Sequence, residues 1–102
     1  MPMIKAQLTD EKNSAFMWLN QARECPTGFA GALYEAPKNL LGFQEGQTIS
    51  VSADQILDWM VNHNGLLYGG FSIRLIRDRK PANERAQFDE YMGVAAYEPL
   101  PT

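Results

Sequence analysis

Few side chains in this sequence could carry chemistry, and their spacing decides how far each could go. Asp58 stands beside Trp59, and a carboxyl group held against a large aromatic in an apolar pocket takes a raised pKa and can act as an acid. Consecutive residues of a strand point to opposite faces, however, so a regular strand cannot aim both into one pocket. The weightier reading pairs Asp58 with a backbone amide or with Arg74 and packs Trp59 in the core. A guanidinium such as that of Arg74 can clamp a carboxylate or phosphate with two parallel bonds, although a surface ion pair is the commoner fate of an arginine. His63 is the single histidine and lies beside a turn, which leaves a catalytic triad or a two-histidine zinc site incomplete. Cys25 is the single cysteine, which excludes an internal disulfide and a multi-cysteine metal site. Its one cationic sequence neighbour is Arg23, which gives no reason for a lowered thiol pKa. Asp89-Glu90 reads as a solvated helix face. Gly69-Gly70 lacks both the lysine of a phosphate loop and the frame of a dinucleotide fingerprint. No catalytic residue, metal ligand or cofactor is assigned.

The elements that position these residues are read outward from a hairpin. Asn64-Gly65 separates two apolar runs within residues 56–71, and this dipeptide tolerates the two positive φ angles of a type I′ turn. Residues 1–13 are weakly patterned, with Ile4 and Leu8 at helical spacing, and read as a frayed lead-in or a short strand. Ala15 to Leu19 and Phe29 to Glu35, joined through the turn chemistry of Cys25-Pro26-Thr27-Gly28, form the first antiparallel pair. Gly31 inside the second of these predicts a bend. Leu40 to Phe43 is an apolar connector covering one end of the sheet, and Thr48-Ile49-Ser50-Val51 alternates with period two, the mark of a half-buried strand. Ser52 and Gln55 have the spacing of a capping box.

Beyond the hairpin, Gly69-Gly70 is permissive enough to redirect the chain. Residues 71–79 fit either a strand or a short helix, and the helix is favoured because Phe71 and Leu75 sit at i and i+4 among good helix-surface residues. Pro81 suits the first turn of a further helix over Ala82 to Met92, which Gly93 stops. The tail, 94–102, holds Pro99 and Pro101 and is expected to be extended or disordered. Together these elements predict an α+β fold in a single domain, 1–102. It has a small, strongly bent antiparallel sheet of about five strands around the Asn-Gly hairpin, with helices toward the C-terminus.

Composition narrows the function classes. At 102 residues, 45% hydrophobic and 21% charged, the chain has the profile of one folded domain rather than of a disordered segment. A net charge of −3 gives no global attraction for nucleic acid or an anionic membrane. Residues 74–85 carry a local +3 against −6 elsewhere, an asymmetry that could orient a partner. The N-terminal residues lack a signal-peptide core and no apolar run approaches ~20 residues, so a soluble, cytoplasmic protein is expected.

Several of these residues together resemble a known family. Trp18, Gly46, Asp58-Trp59-Met60, Asn64-Gly65 and Gly69-Gly70-Phe71-Ser72-Ile73-Arg74 are similar to the bacterial YegJ-like domain of unknown function, a domain also found beside ankyrin repeats. The likeness runs from Ala15 to Met92. His63 stands where that pattern often has an acidic residue, so no role passes to it. The resemblance implies a small soluble bacterial domain with a curved sheet and brings no activity with it.

The expected function is therefore a non-catalytic protein-interaction module, such as an immunity or adaptor protein that binds a toxin or other effector. Its binding residues are expected among Trp59, Tyr68, Phe71, Arg74, Arg77 and Asp58, because aromatic and arginine side chains dominate binding hot spots. The alternative is a small-molecule binding domain or minor enzyme with Asp58 and Arg74 in a sheet cleft, recognisable by an apolar pocket beside them.

Overall fold

The computed structural model of the chain describes residues 2–99. Among them are seven strands and two α-helices, and the chain falls into two compact units, Met1–Trp59 and Met60–Thr102. The α+β class stands. The expected five strands become seven.

In the first unit β1 (Pro2–Thr9), β2 (Ser14–Cys25), β3 (Gly28–Leu33) and β4 (Thr48–Val51) lie in the order β4-β3-β2-β1, each pair antiparallel. Residues 2–9 form a full strand because Ala6 completes the alternation Ile4, Ala6, Leu8; Ile4 and Leu8 alone satisfy helical and strand periods equally. The register sets Ile4 opposite Leu19 and Leu19 opposite Leu33, and these join Ala6, Leu8, Ile49 and Val51 in one buried layer. Leu40 from the connector is also buried there and Phe43 packs against the layer, as expected of a segment that covers the sheet. The other face carries Lys5 and Trp18 as cross-strand neighbours, the ammonium 5.8 Å from the ring centroid.

The bend expected at Gly31 lies on the neighbouring strand. Register shifts between Asn20 and Arg23, where Gln21 takes φ 52 as the extra residue of a bulge. Gly31 itself marks a close approach, since a Cβ there would sit 2.8 Å from the Asn20 carbonyl oxygen and 2.9 Å from Leu19 Cβ. β4 is the edge strand of this unit. It begins just after a turn in which the Gly46 amide donates to the Leu33 carbonyl at 2.7 Å. It ends at Ser52, whose amide donates to Gln55 Oε1 at 2.9 Å, the capping-box bond read from the sequence.

The division between the units falls within β5 (Ile56–His63). In the second unit β5 pairs with β6 (Leu66–Gly69), His63 opposite Leu66, around a turn in which Asn64 and Gly65 take φ 50 and 90. Both angles are positive, as the Asn-Gly signal requires. Gly69 and Gly70 follow at φ 70 and 66 and turn the chain into α1 (Phe71–Asp78), which settles the strand-or-helix alternative for that segment. Pro81 precedes α2 (Ala82–Met92), which stops at Gly93.

A two-residue strand β7 (Ala96–Tyr97) then runs parallel to β6, so the sheet is not wholly antiparallel. β7 is too short to show a period and lies in a proline-bearing tail, which hid it from sequence reasoning. Of that tail, residues 100–102 lie outside the described residues. Among the described residues of this unit, Leu67, Ile73 and Val94 are the buried hydrophobic ones, a small core.

Candidate functional site

The densest polar constellation lies in the second unit, on the face of α1 that carries Arg74 and Arg77. Arg74 donates from Nε to the Gly69 carbonyl at 2.7 Å, from Nη1 to the Glu98 carbonyl at 2.8 Å and from Nη2 to the Leu67 carbonyl at 3.2 Å. One planar guanidinium thus ties the end of β6 to the residue after β7. One turn on, Arg77 meets Asp89 of α2, with Nε at 2.8 and 3.1 Å from the two carboxylate oxygens and Nη2 at 3.0 Å. The Tyr97 hydroxyl donates to the same carboxylate at 2.6 Å. Its ring lies 5.4 Å from the Arg74 guanidinium carbon and 4.8 Å from that of Arg77, within cation–π range of both.

These contacts fix the ionisation of the group. The Arg77 guanidinium, and then the Tyr97 hydroxyl, hold the Asp89 carboxyl below the ordinary carboxylate range, with burial opposing them. Burial first, and then the bond to Asp89, push the Tyr97 phenol up to about 12. At neutral pH Asp89 is therefore a carboxylate paired with the Arg77 guanidinium ion, and Tyr97 is a neutral phenol. The cleft lined by Arg74, Arg77, Asp78 and Tyr97 holds about 160 Å³, below the ~300–1,000 Å³ of small-molecule sites. Its residues hold neighbouring chain segments together.

The remaining sequence-derived candidates are spread over both units. Asp58 is 4% exposed, and one of its carboxylate oxygens accepts the Trp59 amide at 2.7 Å, which is the backbone pairing foreseen for it. Trp59 points the other way and is 44% exposed, beside Leu57 on the same side of β5. The parity expected for consecutive strand residues holds, with the buried member being the aspartate and not the tryptophan. Tyr68 is partly buried on β6, and Phe71 is half exposed at the start of α1. Arg74 and Arg77 are brought together at Tyr97. Asp89 and Tyr97 were not foreseen as site residues, since Asp89 sits 12 residues from Arg77 and Tyr97 lies in an unpatterned tail.

Elsewhere, the first unit has an open depression of about 730 Å³ between the β1–β2 turn and the 38–42 loop. Its Asp10 carboxylate is used by the amides of Lys12, Asn13 and Leu41, which lower its pKa. Cys25 departs from its sequence reading. The Thr27 hydroxyl, 3.6 Å from Sγ, draws the thiol pKa down. Among the described residues, no three histidine, cysteine or acidic side chains gather to hold a metal, and no helix is long and apolar enough to cross a membrane.

Comparison with known proteins finds the chain similar in sequence to uncharacterised bacterial proteins. Residues 1–95 match the family model described as "Uncharacterized protein conserved in bacteria (DUF2314)". A putative ankyrin repeat protein of Neisseria meningitidis serogroup B is 32% identical over 78 residues, covering 76% of this chain and 31% of the relative. The uncharacterized protein YegJ of Escherichia coli is 27% identical over 70 residues, covering 69% of this chain and 46% of the relative. The chain thus spans less than half the length of these curated relatives. No solved structure matches it.

Proposed function

The chain belongs to this family of uncharacterised bacterial proteins, and from that premise we propose that it is a non-catalytic protein-interaction domain of the adaptor or immunity-protein kind, acting in the cytoplasm. One observation carries the reading. On α1, Phe71, Leu75 and Ile76 are 49%, 50% and 50% exposed, while Ile73 alone among its apolar residues is buried. At 100° per residue these three flank Arg79 on one stripe of the helix, away from Arg74 and Arg77. Such a stripe suits a protein partner that presents apolar side chains and a carboxylate for Arg79. The relative named for ankyrin repeats fits the same reading, because stacked repeats of that type form protein-binding surfaces.

Burying the exposed halves of the three side chains is worth about 3 kcal/mol, from ~1.5–3 kcal/mol for each fully buried side chain. Leu75→Ser combined with Ile76→Ser removes about 2 kcal/mol of that, a roughly thirtyfold loss of affinity. The test captures a partner from the native host with the wild-type chain and titrates the purified partner against both proteins. A folded double variant that binds the partner as tightly as wild type refutes the assignment of this face.

The alternative, a small-molecule or catalytic cleft using Asp58 and Arg74, has less support. Nε, Nη1 and Nη2 of Arg74 each donate to a main-chain carbonyl, so its guanidinium is committed to the fold.

A further inference from the structure

Strand β6 has two edges. One is filled by β5, and the other by Ala96–Tyr97, which lie just past the residues that match the family. The ladder on that side is short. The Ala95 and Ala96 amides reach the Gly65 carbonyl at 2.7 and 3.1 Å, and the Glu98 amide reaches the Leu67 carbonyl at 2.9 Å. A strand with two register pairs is short, and the entropy of ordering its residues opposes what their backbone bonds contribute. The side chain of Tyr97 adds to that hold.

What holds Tyr97 is independent of the segment it belongs to. Arg77 is fixed by Asp89, and Arg74 by the Gly69 and Leu67 carbonyls, all contributed by β6 and the two helices. These groups frame a socket that takes a phenol ring within cation–π range of two guanidinium groups and its hydroxyl on a carboxylate. Nη1 of Arg74 donates to the carbonyl of the next residue, Glu98.

We propose that the β6 edge and the Arg74–Arg77–Asp89 socket form a receptor for an extended segment of a partner protein. That segment would carry a small residue followed by an unmodified tyrosine, and would join parallel to β6 in the place that residues 96–98 fill in cis. The chemistry sets the selectivity. A phenylalanine lacks the proton that Asp89 accepts, and a phosphotyrosine brings a dianion against the Asp89 carboxylate. The tethered segment competes at an effective concentration in the ~mM range, so an outside segment enters only when it binds better or when the inner one is weakened. This site lies on a different face of α1 from the apolar stripe of Phe71, Leu75 and Ile76, so either proposal can fail without the other.

The probe is a labelled peptide with the sequence of residues 94–99, titrated against the full-length wild type, Tyr97→Ala and Tyr97→Phe. At least tenfold tighter binding to Tyr97→Ala than to wild type is expected, with Tyr97→Phe between them. Peptides with phenylalanine or phosphotyrosine should bind at least tenfold more weakly, and Arg77→Ala placed in the Tyr97→Phe chain should abolish binding. Equal affinity for wild type and Tyr97→Phe, or indifference to the peptide's tyrosine, overturns the proposal. A concentration-dependent dimer of Tyr97→Phe that excludes the peptide also overturns it, in favour of exchange of this segment between two copies of the chain.

Discussion

Replacing Asp89 with asparagine keeps the size of the side chain and removes its charge, which isolates what the Arg77–Asp89–Tyr97 contacts contribute. The two side chains of the ion pair are 30% and 18% exposed, so the interaction sits between an exposed pair, worth ~0.2–1 kcal/mol, and fully desolvated charged hydrogen bonds at ~1.5–3 kcal/mol each. A loss of about 1–2 kcal/mol at neutral pH is expected after discounting for solvent screening. The pH dependence is the sharper test. Asp89 titrates below its unfolded value of ~3.9, so its stabilisation is complete above that value and is lost as pH falls through the lower folded value. Asparagine has no such dependence. The stability gap between wild type and Asp89→Asn should therefore stay constant from about pH 5 to 8 and close below about pH 4. Both α-helices lie in the second unit, so urea unfolding followed by the helical circular dichroism signal reads the unit concerned. A gap that persists at full size in acid, or no gap at neutral pH, refutes the account of this cluster.

Two further outcomes concern Tyr97 and Gly31. The chain has four tyrosines, and the phenolate absorbance that disappears in Tyr97→Phe should titrate at about 12, with a step at the ordinary ~10 counting against the burial and hydrogen bond described. Because that folded value lies above the unfolded one, the neutral phenol stabilises the chain fully below ~10, and the contribution is lost as pH rises through the folded value. In the first unit, Gly31→Ala forces a methyl group against the Asn20 carbonyl and should cost about 1–3 kcal/mol, read as a lowered urea midpoint. An unchanged midpoint would mean that β2 yields without cost.

The parts of the fold that were legible in the sequence are those specified by neighbours in the chain. Asn64-Gly65 fixed the hairpin through two positive φ angles, while the double glycine with Phe71 and Leu75 at i and i+4 favoured a helix over 71–79 without excluding a strand. β1 was ambiguous because two of its core residues suit both periods, and β7 was invisible because two residues have no period. At the site, Arg74 and Arg77 stood out as arginines, but their partners did not. Asp89 and Tyr97 reach them only through the turn between the helices and the return of the chain to β6, and no local spacing encodes that. Alternation along β5 fixed that Asp58 and Trp59 diverge, and left open which of them faces inward.

The way β4 ends bears on how the protein behaves when crowded. Gln47, Ile49 and Val51 direct their main-chain groups to β3, which leaves Thr48 and Ser50 as the outward-facing pair on this rim. The Gly46 turn closes one side of that window and the Gln55 cap on Ser52 closes the other. A stray extended chain finds only two residues to template on, too few to nucleate fibrous self-association. The β4 rim therefore offers little on which copies of the molecule could pair.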